Sequence, residues 1–506
     1  MRSSARVIAS VLVMALIVGV FAWLAFRGDG LEPKPIDGGP DLDGVPVELH
    51  PFYTQKLTWT KCQDSFECAS VDVPLDYADP TGRTITLQLL KAAASSKKVG
   101  SLVVNPGGPG GSGIEYAMGG KAYWGKPLRD HFDIVGFDPR GVASSDPLTC
   151  VNDAQLDRIL ASDPTPDTPA EVAADRLLSR QFFAGCMRRD AELATHMSTE
   201  EAARDMDVIR SVLGEGRMTY FGASYGTFLG GMYADLFPQR VGRMVLDGAI
   251  DPSQSTVDSS LTQARGFEVA LRAYLADCVA KGDCYLGDTV EAGAARVQEF
   301  FSELDAEPLV VGDRELTEGL GLYGVITPLY NQDYWEILDA ALGAALEGHG
   351  LQLLALADAY TRRGLDGFLG NAFQVLPVVN CTDYNEPIST VRARKLEPRF
   401  LEASPTFGRM FVSDLTSCST WTFQSGRRGA ELRALGAAPI LVVGTTRDPA
   451  TPLEWAEALA ADLESGVLLT RDGDGHTGYN AGNACTDQAI ESYLVEGKVP
   501  ADDTRC

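Results

Sequence analysis

Short apolar runs recur along the chain in the way expected of strands that are buried on both faces. They lie at Ser101–Asn105, Phe132–Phe137, Met218–Phe221, Arg243–Asp247, Pro439–Gly444 and Gly466–Thr470. Upstream of them, polar and apolar residues alternate from Thr84 to Leu89, which is typical of a half-buried strand. Between most of the runs, apolar residues recur at helical spacing, as in Thr199–Leu213. This alternation predicts an open, mostly parallel sheet with helices on both faces.

The alternation of strand and helix stops after Asp251. Residues 253–435 have a mostly helical pattern, and strand-like runs resume only at Pro439. A helical block inside a sheet protein is most simply an inserted cap. We therefore predict a core in two parts, at residues 56–252 and 436–506, with a helical cap at residues 253–435 between them.

The N-terminal segment predicts export. Arg2 and Arg6 precede an uncharged stretch at Val7–Phe26, which as a helix would span roughly 30 Å, the thickness of a bilayer core. The stretch is longer than the apolar region of most cleaved signals, although cleavage stays open. Residues 1–26 are thus predicted to be a signal anchor or a signal peptide, followed by a linker at residues 27–55. The protein is then either held at the extracellular face of the cell membrane or secreted.

Composition and charge narrow the range of functions. Of the 506 residues, 45% are hydrophobic and 22% are charged, as in a folded globular protein. Lys and Arg number 43 against 69 Asp and Glu, which gives a net charge of −26. A field of that sign repels nucleic acid, so a nucleic-acid partner is excluded. The charge fits a preference for cationic substrates, and it fits an ordinary solvated acidic surface equally well.

The ten cysteines fit an exported protein, since an oxidising compartment permits disulfide bonds. The pattern C-x-x-C is absent from the sequence, which argues against metal binding; buried free thiols are the alternative. Sequence alone cannot establish the pairing. Pairing each cysteine with its nearest neighbour along the chain gives Cys62–Cys68, Cys150–Cys186, Cys278–Cys284, Cys381–Cys418 and Cys485–Cys506.

A candidate nucleophile stands in the segment Met218–Gly226, which reads M-T-Y-F-G-A-S-Y-G. It contains G-x-S-x-G with Ser224 at its centre, directly after a strand run and directly before a helical one. A nucleophilic serine needs such a sharp turn, because the turn projects its hydroxyl out of the backbone. The N-terminus of the following helix also favours the negative charge that develops in acyl transfer.

A glycine-rich loop at Val103–Gly113, V-V-N-P-G-G-P-G-G-S-G, follows another strand run. Its backbone N–H groups could hold the oxyanion of a tetrahedral intermediate. We predict Gly108 and Tyr225 as the two donors, with Gly107 as the alternative to Gly108. The alternative is that the loop is only a tight turn, which needs glycine for its backbone angles and binds no oxyanion. The spacing matches neither of the common phosphate-binding loops.

The serine needs a base and an acid to orient it. Among five histidines, His476 lies in a loop after the last strand run, which matches the chain order Ser, Asp, His. Asp448 follows the strand run that ends at Val443 and would accept the other ring N–H of the histidine. Asp247 and Asp251, which also follow a strand, are its rivals. This triad needs no metal and no organic cofactor.

Five motifs in this order resemble the exported tripeptidyl aminopeptidases of actinobacteria, which are relatives of prolyl aminopeptidase. They are N-P-G-G-P-G-G-S-G, F-D-P-R-G-V-A-S-S-D-P, G-A-S-Y-G-T, D-P-A-T-P and G-H-T-G. The resemblance begins near Leu57 and runs to the C-terminus. It implies an α/β-hydrolase fold, a helical cap that shapes the acyl site, and a serine exopeptidase that acts at peptide N-termini. Asn105–Pro106 departs from the His found in prolyl aminopeptidases, and Ala143 stands where relatives often have Gly.

An aminopeptidase must also recognise a free α-ammonium group, for which carboxylates are suited. The resemblance therefore makes Asp383 and Glu386, in V-N-C-T-D-Y-N-E-P, candidates for amine binding. The alternative is a loop that is merely stabilised by Cys381 and its partner.

Two other functions remain open at this stage. A carboxylesterase or lipase would use the same triad, although the many charges of the cap disfavour a lipase. A non-catalytic binding protein could be built on the same scaffold, but such proteins lose triad members that this chain retains. The expected partners are peptides with free N-termini, and the membrane if the N-terminal segment stays attached; the oligomeric state is open.

Overall fold

The computed structural model of the protein describes residues 41–63, 65–384, 386–427 and 431–506. The predicted signal anchor or signal peptide at residues 1–26 lies outside these residues. Within the described part of the chain, no helix is both long enough and apolar enough to cross a membrane.

The strands in the described residues divide into one large sheet and two small hairpins. Their bounds are β1 Thr60–Cys62, β2 Phe66–Pro74, β3 Thr84–Ala92, β4 Gly100–Asn105, β5 Phe132–Phe137, β6 Met218–Ala223, β7 Val241–Asp247, β8 Leu309–Val311, β9 Arg314–Leu316, β10 Arg363–Gly364, β11 Gly367–Phe368, β12 Ile440–Arg447, β13 Gly466–Asp474 and β14 Thr504–Arg505. The large sheet has ten strands in the order β1-β2-β3-β5-β4-β6-β7-β12-β13-β14.

Helices connect the strands and fill the region between β7 and β12. Their bounds are α1 His50–Tyr53, α2 Gly113–Met118, α3 Lys126–His131, α4 Asp153–Leu160, α5 Pro169–Thr195, α6 Thr199–Val212, α7 Tyr225–Leu236, α8 Thr256–Lys281, α9 Val290–Ala306, α10 Glu318–Leu329, α11 Trp335–Leu346, α12 Leu351–Thr361, α13 Ala372–Tyr384, α14 Thr390–Ala403, α15 Gly408–Asp414, α16 Leu453–Asp462 and α17 Ala484–Glu496.

The sheet is antiparallel at one edge and parallel from β5 to β14. Every residue of β4, β5, β6 and β7 is buried. That burial explains why these strands appear in the sequence as continuous apolar runs rather than as alternating ones. The predicted fold class, a mostly parallel sheet with helices, is confirmed.

The connections between the parallel strands diverge at the carboxyl ends of β4 and β6. The chain leaves β4 for β5 on one side of it and later returns to β6 on the other side. Connections that diverge in this way open a crevice above the strand ends, where ligands bind in open α/β sheets. The segments that follow β4, β6, β12 and β13 all begin at this edge.

Helices α8–α15 and both hairpins lie between β7 and β12 along the chain. Their apolar side chains share one buried cluster with the sheet, which includes Val103 of β4, Phe267 of α8 and Leu353 of α12. Helix α5 also contacts this region, since Ser179 donates a hydrogen bond to the Ser417 carbonyl at 2.9 Å. The cap boundaries at residues 253 and 435 stay predictions, with α8 beginning at Thr256 and β12 at Ile440.

The predicted linker at residues 27–55 is described from residue 41 onward, and its last residues pack against α6. Leu49, Phe52 and Tyr53 are buried. The Tyr53 hydroxyl donates to Asp207 at 2.8 Å, and Ser211 donates to the Tyr53 carbonyl at 3.0 Å. Apolar side chains at helical spacing in this short segment account for the packing.

All ten cysteines are paired, and the pairs are those given by proximity along the chain. They are Cys62–Cys68, Cys150–Cys186, Cys278–Cys284, Cys381–Cys418 and Cys485–Cys506. The disulfide prediction is thereby confirmed, and it indicates an oxidising compartment.

Candidate active site

Ser224 occupies the turn between β6 and α7, with φ 56° and ψ −126°. A positive φ is uncommon for a residue with a side chain and stores strain, which native structures keep mainly at functional sites. Two backbone hydrogen bonds hold the turn. The Ser224 N–H donates to the Asp247 carbonyl at 2.9 Å, and the Thr227 N–H donates to the Ser224 carbonyl at 2.8 Å. This is the geometry of a nucleophile elbow.

Gly226 explains why the G-x-S-x-G spacing is needed here. A Cβ at Gly226 would lie 2.7 Å from the carbonyl oxygen of Asn105, which is closer than real Cβ atoms approach. Helix α7 therefore begins directly against the end of β4. Only glycine allows this close approach, and it brings Ser224 next to the glycine-rich loop that follows β4.

His476 and Asp448 form a hydrogen-bonded pair. The His476 Nδ1 lies 2.9 Å from each carboxylate oxygen of Asp448. Since a carboxylate can only accept, Nδ1 carries the proton and Nε2 is left as the basic nitrogen. The sequence-based pairing of these two residues, from loops after β12 and β13, matches this contact.

The Asp448 carboxylate is buried and surrounded by further donors. Its Oδ1 accepts the backbone N–H groups of Ala450 and Thr451, both at 2.9 Å. Its Oδ2 accepts the Thr451 hydroxyl and the Thr477 N–H, both at 3.0 Å. These hydrogen bonds fix the plane of the carboxylate and so the orientation of the His476 ring.

The electrostatics of the pair favour a protonated ring. Burial lowers the pKa of His476, but the charge of Asp448 and its hydrogen bond outweigh burial, so the pKa lies above its usual 6.5. An imidazolium formed beside Asp448 is thus stabilised, which is what a general base in acyl transfer requires.

Ser224 and His476 lie on either side of the turn at Asp247–Gly248, at the end of β7. Ser224 is bonded to the Asp247 carbonyl. On the other side, a Cβ at Gly248 would lie 3.3 Å from Cε1 of His476. Ser224 and His476 thus both approach the turn at the end of β7, although they are about half the chain apart in sequence.

The two rival acids have other partners. Asp247 accepts the N–H groups of Gly478 and Tyr479 at 2.7 and 2.9 Å, so it holds the loop that carries His476. Burial raises the pKa of Asp247 to about 6. Asp251 accepts from the Ser253 N–H and hydroxyl in a local turn.

Tyr330, which follows α10, is a site residue that sequence reasoning missed. Its carbonyl accepts the His476 N–H at 2.8 Å, and its ring meets the imidazole edge-on with centroids 5.3 Å apart. Tyr360 and Tyr323 continue this aromatic wall away from the histidine. No motif marks Tyr330 in the sequence, because its role depends on how α10 packs.

The glycine-rich loop reaches the nucleophile elbow. A Cβ at Gly107 would lie 2.8 Å from the Tyr225 N and 2.9 Å from the Ser224 Cβ. The Gly107 N–H is already used, since it donates to Asn105 Oδ1 at 2.9 Å. Among the two glycines considered as oxyanion donors, Gly108 is therefore the one whose N–H this bond leaves free.

The two candidate amine-binding residues lie in different surroundings. Asp383 is buried and accepts the N–H of Thr199 at 3.1 Å and its hydroxyl at 2.6 Å. The Thr199 hydroxyl is in turn 2.6 Å from that of Tyr225. Burial raises the pKa of Asp383 to about 7. Glu386 instead forms an ion pair with Arg392 at 2.7 Å near the surface.

One group of carboxylates in the described residues is close enough to hold a cation. Oxygens from Asp163, Asp305 and Glu318 lie within 4.8 Å of one another. Burial raises the pKa of Glu318 to about 8, and the Thr165 hydroxyl lies 3.0 Å from both of its oxygens. Glu318 begins α10 whereas Tyr330 follows its end, about 18 Å away at the helical rise. The cluster is therefore separate from the triad.

A strained serine between a strand and a helix, beside a carboxylate-oriented histidine at the same sheet edge, defines a serine hydrolase with the α/β-hydrolase fold.

Comparison with known proteins identifies the family within this class. The family model described as TAP-like protein matches residues 404–506. Serine protease Hip1 from Mycobacterium tuberculosis is 37% identical over 486 residues, covering 90% of this chain and 92% of that protein. Carboxylesterase B from the same species is 34% identical and covers 96% of each chain. Tripeptidyl aminopeptidase from Streptomyces lividans is 33% identical, covering 89% of this chain and 86% of that protein. The chain belongs to the tripeptidyl-aminopeptidase-like family of α/β-hydrolases.

Proposed function

We propose that this protein is an exported serine exopeptidase that releases amino acids or short peptides from the N-termini of peptides. The hydrogen-bonded pair of Asp448 and His476, in loops at the sheet edge where the strained Ser224 also lies, is the observation that supports the proposal. The relatives named as a serine protease and as a tripeptidyl aminopeptidase support a peptide as the substrate.

In the proposed mechanism, the Ser224 hydroxyl attacks the scissile carbonyl while His476 Nε2 takes its proton. The carbonyl oxygen becomes an oxyanion, which accepts hydrogen bonds from the N–H groups of Gly108 and Tyr225. The C–N bond then breaks, and the imidazolium gives its proton to the leaving amine. Water then attacks the acyl-enzyme while the same histidine takes its proton. The C–O bond to Ser224 breaks, the imidazolium returns the proton to the Ser224 oxygen, and the acid is released.

Asp448 orients the histidine through this cycle. Its oxygens accept from Ala450, Thr451 and Thr477 as well as from His476, which fixes the carboxylate against the ring. The negative charge stabilises the imidazolium without itself taking a proton.

Recognition of the substrate's free ammonium group by Asp383 and Glu386 is part of this proposal. Asp383 is linked through Thr199 to the side-chain hydroxyl of Tyr225, the residue after Ser224. This link supports Asp383 over Glu386, whose charge is paired with Arg392. The matched variants are Asp383→Asn and Glu386→Gln. We expect Asp383→Asn to reduce the preference for free over blocked N-termini by about tenfold or more, as a charged hydrogen bond is lost. An unchanged preference in both variants would refute amine binding by these residues.

Export and membrane attachment are proposed on separate grounds. The five disulfide bonds fit an oxidising compartment, and the apolar stretch at Val7–Phe26 fits a signal anchor or a signal peptide. Fractionation of cells that produce the full chain, followed by N-terminal sequencing, distinguishes an attached form from a cleaved and secreted one.

A carboxylesterase is the second candidate, because the relative named carboxylesterase B matches 96% of this chain. The decisive comparison is kcat/KM for tripeptidyl and aminoacyl anilides against that for short acyl esters. An exopeptidase cleaves the anilides with a free N-terminus and is at least about tenfold slower when the terminus is blocked. Cleavage of esters alone would establish the esterase.

A fluorophosphonate probe tests whether the protein is an enzyme at all. Labelling should occur in the wild type, disappear in Ser224→Ala and persist in Ser65→Ala, a matched change at an exposed serine. Absence of labelling in the folded wild type would indicate a non-catalytic binding protein and refute the mechanism.

A further inference from the structure

Asn105, the last residue of β4, has an orientation fixed by its neighbour. Its side chain is 1% exposed, and its Oδ1 accepts the Gly107 N–H at 2.9 Å. The reverse orientation of the amide would set an NH₂ group against that N–H, so the observed one is required. The amide oxygen also lies against the start of α7, 3.1 Å from where a Cβ of Gly226 would stand.

The other end of the same amide is unsatisfied by protein. Asn105 Nδ2 is buried and has no hydrogen-bond partner among the described residues. Asn105, Gly107 and Tyr225 together line a small cavity of about 10 Å³, close to the space that a single water needs. A buried donor without a protein acceptor is unfavourable, and an apolar side chain of similar shape would avoid it. An amide at this position is therefore better explained by its effect on the loop than by stability.

The hydrogen bond to Asn105 holds Gly107, which packs against the turn at Ser224. A Cβ at Gly107 would lie 2.8 Å from the Tyr225 N. The Gly107 N–H is taken by Asn105 Oδ1, so of the two candidate glycines Gly108 is the one whose N–H this bond leaves free. Rotation of the Gly107 peptide would alter the direction of the Gly108 N–H as well.

We propose that Asn105 is a positioning residue for the oxyanion site: its side-chain oxygen holds the Gly107 N–H inward and thereby directs the Gly108 N–H at the developing oxyanion. This inference rests on the proposed acyl transfer at Ser224.

Two substitutions separate the acceptor from the size of the side chain. Asn105→Leu keeps the branching of the side chain and removes the acceptor, whereas Asn105→Asp keeps an acceptor for Gly107. We expect Asn105→Leu to lower kcat about 100-fold with KM changed less than about twofold, because an oxyanion donor is misdirected while substrate binding is kept. Asn105→Asp should retain at least about tenfold more activity than Asn105→Leu.

The affinity for a tetrahedral analogue distinguishes a misdirected oxyanion donor from a general loss of structure. A peptidyl trifluoromethyl ketone forms an oxyanion on Ser224, so its affinity for Asn105→Leu should fall by about the same factor as kcat/KM. Affinity for the uncleaved peptide, measured in the Ser224→Ala background, should stay within about twofold. Leu102→Ala, a buried change in the same strand, is the matched control for lost stability.

The outcomes distinguish this inference from the proposed function. Wild-type activity that persists in Ser224→Ala would refute the proposed function. Activity that depends on Ser224, with kcat and analogue affinity of Asn105→Leu equal to those of the wild type, would overturn only the role of Asn105. Equal losses in Asn105→Leu and Leu102→Ala would also overturn it. If Asn105→Leu does not fold, Asn105→Ala replaces it, with the same expected split between kcat and KM.

Discussion

The two sides of the proposed active site, around Ser224 and around His476, are held in different ways. Ser224 is held by backbone geometry: a positive φ, a bond to the Asp247 carbonyl and the close approach of Gly226 to Asn105. His476 is held by side-chain chemistry, through a carboxylate that itself accepts four further hydrogen bonds.

This difference determines which substitutions each side can accommodate. The serine side has no room for an added atom, so a change there displaces the turn as a whole. The histidine side has redundant donors, so the loss of one leaves the others in place. On the histidine side, a large loss of kcat is therefore expected only from a substitution that removes the negative charge of Asp448.

The largest effect is expected for Asp448→Asn, which keeps the shape and removes the charge. The imidazolium loses its partner and the ring can adopt the wrong tautomer, so kcat should fall by about 10⁴. The measurement is kcat for a tripeptidyl anilide, with the folded state checked by thermal unfolding. A folded variant with less than about a tenfold loss would mean that another acid orients His476.

Gly226→Ala tests the serine side and should rank second. The new Cβ would meet the Asn105 carbonyl at 2.7 Å, and relief of this overlap moves either α7 or the end of β4. We expect a loss of about 1–3 kcal/mol in the free energy of unfolding, and kcat lower by about 10²-fold since the oxyanion donors move with the elbow. Gly231→Ala in the same helix is the control, because its nearest neighbour is a flexible leucine side chain. Equal kcat values for the two variants would contradict the proposed role of the close approach.

Features that are built from residues adjacent in sequence could be predicted, whereas features that depend on packing could not. Strands such as β4 and β6 were predicted because burial on both faces leaves a local pattern, an apolar run. Ser224 carries a local signal for the same reason, since its turn is built from residues adjacent in sequence. The contact of Asp448 with His476 was predicted from chain order and from position after strands.

Residues that act through packing left no such pattern. Tyr330 reaches His476 only because α10 ends above the histidine. The bond of Asn105 to Gly107 is local, and the motif N-P-G-G could have suggested it. The resemblance makes Asp383 a candidate for amine binding, but only the structure shows that Thr199, far away in sequence, donates a hydrogen bond to its carboxylate.

The pH dependence of kcat/KM tests the histidine side separately. His476 is a base only when neutral, and its pKa lies above 6.5 because of Asp448, so kcat/KM should fall as the pH drops through that raised value. The same shift stabilises the folded state below pH 6.5, and this contribution is lost as the pH rises through the folded pKa. Imidazole NMR of Asp448→Asn should show a lower pKa than in the wild type. An unchanged pKa would mean that Asp448 does not cause the shift.

The smallest effect is expected for Thr451→Val, which removes one donor to Asp448 and keeps the shape of the side chain. The backbone bonds from Ala450, Thr451 and Thr477 remain, so the carboxylate should stay in place with a loss of about 1 kcal/mol, or roughly fivefold in kcat. Thr451→Ser retains the hydroxyl and should keep nearly the wild-type rate. A loss in Thr451→Val as large as that in Asp448→Asn would show that the donors are not redundant. The histidine side would then be as intolerant of change as the serine side.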